Sequence, residues 1–275
     1  PVFFPGGNIG ELAVYGTVND LSMVGAKPLC MSAGLILEEG FLMNDLKKIL
    51  ASMADAAKRS GVKIIAGDTK VVNRGKGDGI FINTSGIGIL DDGVNISPSN
   101  IKSGDKIIVS GTIGNHGVAV MAERNGLSFN PPVLSDTAPL NQMVQEIIGY
   151  GGVHAMRDPT RGGLATTLKE MALESGLCFS IREASIPVPD GVRGASELLG
   201  IDPLYIANEG ILIAVVKRDA AESLLAILRK NPLGKDANII GEVSDTPEGK
   251  VLLKTRIGGT RVIDMLSGEQ FPRIC

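Results

Sequence analysis

Carboxylates, hydroxyls and cations interrupt apolar runs at four places in the chain. Asn19 and Asp20 lie inside NDLSMVGA, a helical stretch where Asp is a poor former and its carboxylate is set among small apolar residues. A surface position on a loosely packed helix explains it equally well. Gly67-Asp68-Thr69-Lys70 directly follow the apolar VKIIA. An acid, a hydroxyl and an amine at the end of a buried strand are placed to contact phosphate and metal, although Gly-Asp is also common turn chemistry. Asp158-Pro159-Thr160-Arg161-Gly162-Gly163 separate a strand from a helix. A carboxylate there can hold Mg2+, while Arg161 and the free N–H groups of the helix start can hold a phosphate. The competing reading is a cap, with Thr160 or Asp158 starting the helix. Ala207-Asn208-Glu209-Gly210 come just before GILIAVV. An acid entering a buried strand is costly unless paired or functional, and Lys70 is the obvious partner if the two meet in space. A strand-edge turn is the alternative.

The sequence finishes GEQFPRIC, with Cys275 beside the terminal carboxylate. Two glycine runs add weaker signals. FFPGGNIG is a turn before a helix, with Asn8 as N-cap and Gly10 beside it, and could serve as a phosphate loop. SGTIGNHG is similar, and His116 there reads as a cap or an exposed turn residue rather than a base. Neither run matches a Walker loop or the dinucleotide fingerprint. No Ser-His-Asp set is evident. Several Asp residues, a helix N-terminus with an arginine, and a lysine amount to the equipment for nucleotide phosphate and Mg2+ without a Walker loop.

These residues need elements to carry them. NIGELAVYGTVNDLSMVGA reads as a helix and KPLCMSAGLILEE as a buried strand. Met43, Leu46, Ile49, Leu50, Met53, Ala54 and Ala57 recur at helical spacing, with Gly61 as the stop. VKIIAGDTKVV and GIFINTSGIGIL read as strands. The breaker-rich NISPSNIKSGD places a domain boundary near residue 98. Beyond it DKIIVSG, VHAMRD and GILIAVVK read as strands. HGVAVMAER, PLNQMVQEIIGY, GGLATTLKEMALES and RDAAESLLAILRK read as helices, and the end as short strands joined by turns. The strands are not separated by one helix each, which favours two α+β domains, 1–98 and 99–266, over one doubly wound sheet. The tail 267–275 has only Phe271 and Ile274 to bury, so it is expected to be mobile.

With 44% hydrophobic and 21% charged residues, the composition supports a sizeable core. A formal charge of -3 gives no electrostatic case for nucleic acid or an anionic membrane, and 4% aromatics with no Trp leave no base-stacking platform. Three cysteines cannot pair fully, and Cys30 and Cys178 in apolar runs read as small buried hydrophobes, which suits a reducing cytoplasm. No run is apolar enough to span a bilayer, and no signal peptide opens the chain. It opens on PVFF, which reads as the middle or end of a strand.

NDLSMVGAKP, GDTKVV, DPTRGG and ANEG, in that order, resemble the ATP-binding superfamily of aminoimidazole ribonucleotide synthetase, selenophosphate synthetase and thiamine-monophosphate kinase. FFPGGNIG, NPLGKDA and the terminal PRIC narrow the resemblance to its hydrogenase-maturation branch, over essentially the whole chain. The resemblance implies an N-terminal sandwich-like α/β domain that forms a homodimer through its sheets, and a C-terminal α+β domain. It implies ATP and Mg2+ as cofactors. It implies that a carbamoyltransferase, HypF, loads Cys275, that the resulting thiocarboxamide is dehydrated to a thiocyanate with ATP, and that the cyano group passes to iron on a HypC–HypD complex.

By motif, Asp20 and Asp158 match Mg2+-binding acids, and Gly67, Asp68 and Thr69 match phosphate contacts. Glu209 matches the base and Lys70 its neighbour; Arg161 matches a phosphate partner, with Asn8 and Gly10 as lesser contacts. The branch carries a glycine-rich segment and an Asp-containing strand ahead of FFPGGNIG, and this sequence starts after them, which puts turnover by the chain as given in doubt. Two alternatives remain at this level: a kinase or cyclo-ligase of the superfamily, which needs no terminal cysteine, and a carrier that only transports a modified tail. Prenylation of Cys275 is disfavoured because such signals need residues after the cysteine.

Overall fold

The computed structural model describes residues 1–266, so Cys275 and the expected mobility of its tail lie outside the described residues. The chain opens with a small antiparallel ribbon, β1 (Phe3–Phe4) and β2 (Gly7–Asn8). Helix α1 (Ile9–Met23) follows, started by a reciprocal cap: Gly10 N–H donates to Asn8 Oδ1 at 2.8 Å and Asn8 N–H to Glu11 Oε1 at 3.2 Å. Then come β3 (Lys27–Glu38), α2 (Met43–Ser60), β4 (Lys63–Val72) and β5 (Ile80–Ile89). Helix α2 ends where Gly61 turns left-handed at φ 70°, a conformation that glycine adopts without strain.

The three strands order as β4-β3-β5, with β4 parallel and β5 antiparallel to β3. One face is covered: Val14, Val18, Ile49 and Met53 of the two helices pack on Met31 and Ala33. The register places Ile36 beside Phe81, and Cys30 beside Ile87, on the other face. These apolar side chains are open to solvent, 43% for Ile36, 50% for Phe81 and 64% for Ile87.

Two expectations change here. The strand carrying GDTK is not buried; β4 is the outer strand of its sheet and is exposed along nearly its whole length. Its apolar residues signal a need for cover, but nothing among the described residues supplies that cover. Cys30, on the uncovered side, is half-exposed, whereas Cys178 is buried as expected.

A short turn at Pro98–Asn100 leads into the second half. Its elements are β6 (Lys106–Val109), α3 (Asn115–Asn125), α4 (Asn141–Tyr150), β7 (Val153–Arg157), α5 (Gly163–Ser175), β8 (Cys178–Arg182) and α6 (Asp190–Leu199). They continue with β9 (Ile213–Val216), α7 (Ala221–Lys230), β10 (Asn238–Ser244), β11 (Val251–Lys254) and β12 (Thr260–Ile263). All seven strands form one sheet, ordered β12-β11-β8-β10-β6-β9-β7. Only β8 and β11 run parallel, so the sheet is not doubly wound and the α+β reading holds.

Helices cover both faces of this sheet. Leu164, Leu168 and Met171 of α5 pack with Ile107 and Phe179 on one side. Met143 and Ile147 of α4, with Leu224 and Leu228 of α7, pack with Ile108 on the other. Successive strand residues Ile107 and Ile108 therefore serve opposite cores, as the two-residue period of a strand requires. Met23 at the end of α1 joins the second core, which ties the first half to the second. Among the described residues no helix is long and apolar enough to cross a membrane.

Candidate active site

An open cleft of about 720 Å³ lies where α1 meets the start of α5. Asp20, Met156, Asp158, Arg161 and Thr166 line it, together with Met265 and Leu266. Helix α1 brings Asp20, one residue past Asn19, which is fully buried. Strand β7 is buried through Met156 and delivers Asp158 immediately after its last residue. The chain then turns through Pro159–Gly162. Gly162 and Gly163 are left-handed at φ 75° and 61°, and a Cβ on Gly163 would sit 2.6 Å from the Ile206 carbonyl oxygen. Only glycine fits that close approach.

Neither Asp158 nor Thr160 caps α5: its first turn has no side-chain cap. Gly163 N–H is taken by the Thr160 carbonyl at 3.0 Å, which leaves the next N–H groups of this 13-residue helix for a ligand. Thr166 Oγ1 is buried beside Gly162 with no hydrogen-bond partner among the described residues, a second group awaiting an acceptor or donor.

Glu209 does not line the cleft itself but lies close enough to Asp158 and Asp20 to feel their charges. It is 6% exposed, and its proton affinity is raised well above the usual carboxylate range by burial and then by the charges of Asp136, Asp158 and Asp20. Burial and the charge of Asp20 push Asp158 up to about 6. Burial pushes Asp136 up to about 6 as well, against the N–H groups of Glu209 and Gly210, which favour its ionised form. Asp20 is raised by partial burial. Carboxylates gathered this way favour a cation among them.

Among the described residues no group of three or more His, Cys, Asp or Glu side chains forms a metal cage by itself. A Mg2+ ion with a nucleotide needs no such cage, because one or two carboxylates, phosphate oxygens and water complete its shell. The unfilled α5 N-terminus, Arg161, the orphaned Thr166 hydroxyl and the Asp20–Asp158 pair fit that group.

The remaining expected residues are elsewhere. Gly67, Asp68, Thr69 and Lys70 lie within β4 rather than at its end, and none lines the cleft. Asp68 accepts from the Thr69 N–H at 2.9 Å. The anticipated Lys70–Glu209 pair does not form: the charges acting on Glu209 are all acidic, and no ion pair among the described residues includes Lys70. Strand β4 packs on β3 and α2, which keeps its side chains on the first sheet. Asn8 is occupied as the α1 cap and as acceptor from Ser52 Oγ at 2.6 Å. A Cβ on Gly10 would meet Ser52 Oγ at 2.7 Å, so this glycine serves the α1–α2 contact. His116 is not an exposed turn residue. It is fully buried in α3, bonded through Nδ1 to Ser135 Oγ at 2.9 Å, and burial lowers it to about 4.

Sequence reasoning passed over Asp136, in the loop VLSDTAPL, and gave Asn208 no role of its own. Asn208 is completely buried; its Oδ1 accepts from Gly114 N–H at 2.6 Å and its Nδ2 donates to the Pro159 and Ile206 carbonyls at 2.9 and 3.0 Å. An asparagine and an acid flanking the motif were visible; their partners, far along the chain, were not.

Residues 1–90 match the family model of the AIR synthase related protein, N-terminal domain, and residues 102–254 that of its C-terminal domain. Fold and cleft thus define an AIR synthase related protein. A carbamoyl dehydratase HypE of Bradyrhizobium diazoefficiens is 53% identical over 277 residues, covering 100% of this chain and 80% of the relative. The Escherichia coli carbamoyl dehydratase HypE is 45% identical over 275 residues, covering 100% and 81%. A crystal structure of the hydrogenase maturation protein HypE in complex with ATP superposes with TM-score 0.97 at 47% identity, covering 100% of this chain and 84% of that one. One of a HypE–HypF complex gives 0.94 at 53%, covering 97% and 87%. This chain belongs to the HypE family. A thiamine monophosphate kinase from Aquifex aeolicus, at 18% identity and TM-score 0.68 over 89% of this chain and 81% of its own, shares the fold.

Proposed function

We propose that the chain is an ATP-dependent carbamoyl dehydratase that converts a thiocarboxamide on its own Cys275 into a thiocyanate, the cyanide source for [NiFe] hydrogenase iron centres. The observation that carries this reading is that Met265 and Leu266 line the same cleft as Asp20, Asp158 and Arg161. The segment leading to Cys275 therefore sets out from the acidic cleft. Nine residues separate Leu266 from the end of the sequence, an extended reach of up to roughly 30 Å. That is ample for the sulfur to return to the cleft and to visit other proteins.

The chemistry follows from the groups. The amide oxygen of R–S–C(=O)–NH2 is a poor leaving group; once it takes the γ-phosphoryl group of ATP it departs as phosphate. Both N–H protons are lost and R–S–C≡N, ADP and phosphate result. Glu209 accepts an N–H proton as general base. The α5 N-terminal N–H groups, the Thr166 hydroxyl and Arg161 hold nucleotide phosphate, and Asp20 and Asp158 hold Mg2+. Mg2+ held there would offset phosphate charge and part of the acidic charge that, after burial, raises Glu209.

The outer face of the first sheet and the open edge of β4 support a homodimer, because a long exposed strand with apolar neighbours is a site for pairing. Roles for Gly67, Asp68 and Thr69 at phosphate, and for Lys70 near the docked tail, belong to that dimer, in which β4 is carried to the interface. A relative was crystallised with HypF, and we assign HypF as the carbamoyl donor here and HypC–HypD as the acceptor of the cyano group. Cys30 and Cys178, free among the described residues, suit a reducing cytoplasm.

The test is mass spectrometry of the C-terminal peptide after incubation with HypF, carbamoyl donor and ATP. The reading expects carbamoylation, then loss of one water only when ATP is present. A tail that is carbamoylated and never dehydrates identifies a carrier and overturns the dehydratase.

A further inference from the structure

The carboxyl of Asp136 takes no part in the chemistry above, yet it faces the residue that does. Its Oδ2 accepts two consecutive peptide N–H groups, that of Glu209 at 3.1 Å and that of Gly210 at 3.0 Å. Its Oδ1 is buried with no partner among the described residues. The grip is tight: a side chain at Gly210 would run into the Asp136 carbonyl, so no other residue can occupy that position without moving the loop.

The same loop holds Glu209 from its other side. Ala138 N–H donates to the Glu209 carbonyl at 3.3 Å, and Asn19 Nδ2 approaches that oxygen at 3.5 Å. Asn19 also donates to the Ala138 carbonyl at 3.0 Å and accepts from Leu140 N–H at 2.8 Å. Residues 136–140 thus form a strap from α1, next to Asp20, to the main chain of Glu209. The strap is pinned at its start as well: Ser135 N–H donates to the Pro5 carbonyl at 2.8 Å, and Ser135 Oγ meets the buried His116.

We propose that Asp136 is a positioning residue: by accepting both N–H groups it fixes the Glu209 carboxylate relative to the α1 carboxylate of Asp20, with Asn19 fastening the strap to α1. A carbonyl or amide oxygen can accept these N–H groups as a carboxylate does, so the role requires the acceptor and not the charge. The inference rests on the dehydratase reading for its catalytic consequence, but not for the grip itself.

Two variants of the full chain test it, Asp136→Asn, which keeps an acceptor oxygen, and Asp136→Ala, which removes it. Amide exchange is read by mass spectrometry on peptides spanning 206–212, with β10 as internal reference. Asp136→Ala exchanges at least about tenfold faster at Glu209–Gly210 while β10 is unchanged; Asp136→Asn keeps parent protection. In the dehydration assay kcat of Asp136→Ala falls about a hundredfold at unchanged KM for ATP, and Asp136→Asn stays near the parent.

Parent protection in Asp136→Ala overturns the grip. Parent turnover in a variant that has lost protection overturns its relevance to Glu209. A slow but fully protected Asp136→Asn overturns the acceptor role in favour of charge. If Asp136→Ala does not fold, Asp136→Glu, which displaces the acceptor by one methylene, takes its place with the same expected losses. A parent that forms no nitrile sinks the dehydratase reading alone, and the exchange data then decide the grip.

Discussion

Asn208 Nδ2 donates to the Pro159 carbonyl oxygen at 2.9 Å, and this bond joins the segment that carries Glu209 to the loop that carries Asp158. The same side chain accepts from Gly114, so one buried amide connects three of the motif loops. Asn208→Ala strands the Gly114 N–H and the Ile206 carbonyl, while the Pro159 carbonyl keeps the backbone N–H of residue 208 at 3.1 Å. It should destabilise the fold by about 3 kcal/mol, the cost of leaving such groups unpaired. Urea unfolding monitored by circular dichroism measures it. A midpoint equal to the parent's would mean that water or a shifted loop replaces the amide.

The raised Asp158 makes stability depend on pH. A carboxyl whose folded pKa is about 6 binds its proton more tightly folded than unfolded, where the ordinary value is 3.8. Its stabilising contribution is therefore present below pH 3.8 and lost as pH rises through about 6. Asp158→Asn should melt above the parent at pH 7.5 without Mg2+, by on the order of 2 kcal/mol, and the gap should close towards pH 4. Thermal melts at both pH values check this. Added MgATP should raise the melting temperature of the parent and leave Asp158→Asn nearly unmoved.

Cys275→Ala removes the acceptor sulfur. The C-terminal peptide should gain no carbamoyl mass with HypF, while ATP binding and the melting temperature match the parent's. A variant that still supports hydrogenase maturation in cells would take the thiol out of the scheme.

Glu209→Gln keeps the shape of the buried side chain but cannot accept a proton. Carbamoylated tail should accumulate, with nitrile formation reduced by about a thousandfold, in the range that general-base catalysis contributes. Melting temperature at pH 7.5 should rise or stay level, since a buried carboxyl with raised proton affinity is removed. Normal nitrile formation would assign the proton to another group.

Phe81 and Ile36 are neighbours across β3 and β5 on the uncovered face. Phe81→Asp with Ile36→Glu should convert a dimer into a monomer by light scattering, without lowering helix content. An unchanged mass would place the dimer contact elsewhere or remove it.

Much of the site was legible along the chain because it is local. Asp158 follows a buried strand and precedes a glycine-rich helix start within six residues of sequence, so its surroundings are written next to it. The periodic apolar positions of α2 and the cap at Asn8 are equally local. Helix α6 was missed because Gly191 and Gly194 weaken its propensity, and packing of Val192 and Ala195 on Val118 and Ile206 decides it.

The sequence by itself determined which acids enter apolar surroundings, Asp20, Asp158 and Glu209, and that a thiol stands at its last position. Tertiary structure alone decided what each acid faces. Asp136 reaches Glu209 across 73 residues, and Asn19 reaches Ala138 across 119. The exposure of β4 was settled in the same way, by which strand lies at the edge of its sheet. Periodicity and propensity describe the few residues on either side of a position, whereas a hydrogen-bond partner or a covering surface is supplied by whatever the fold brings alongside.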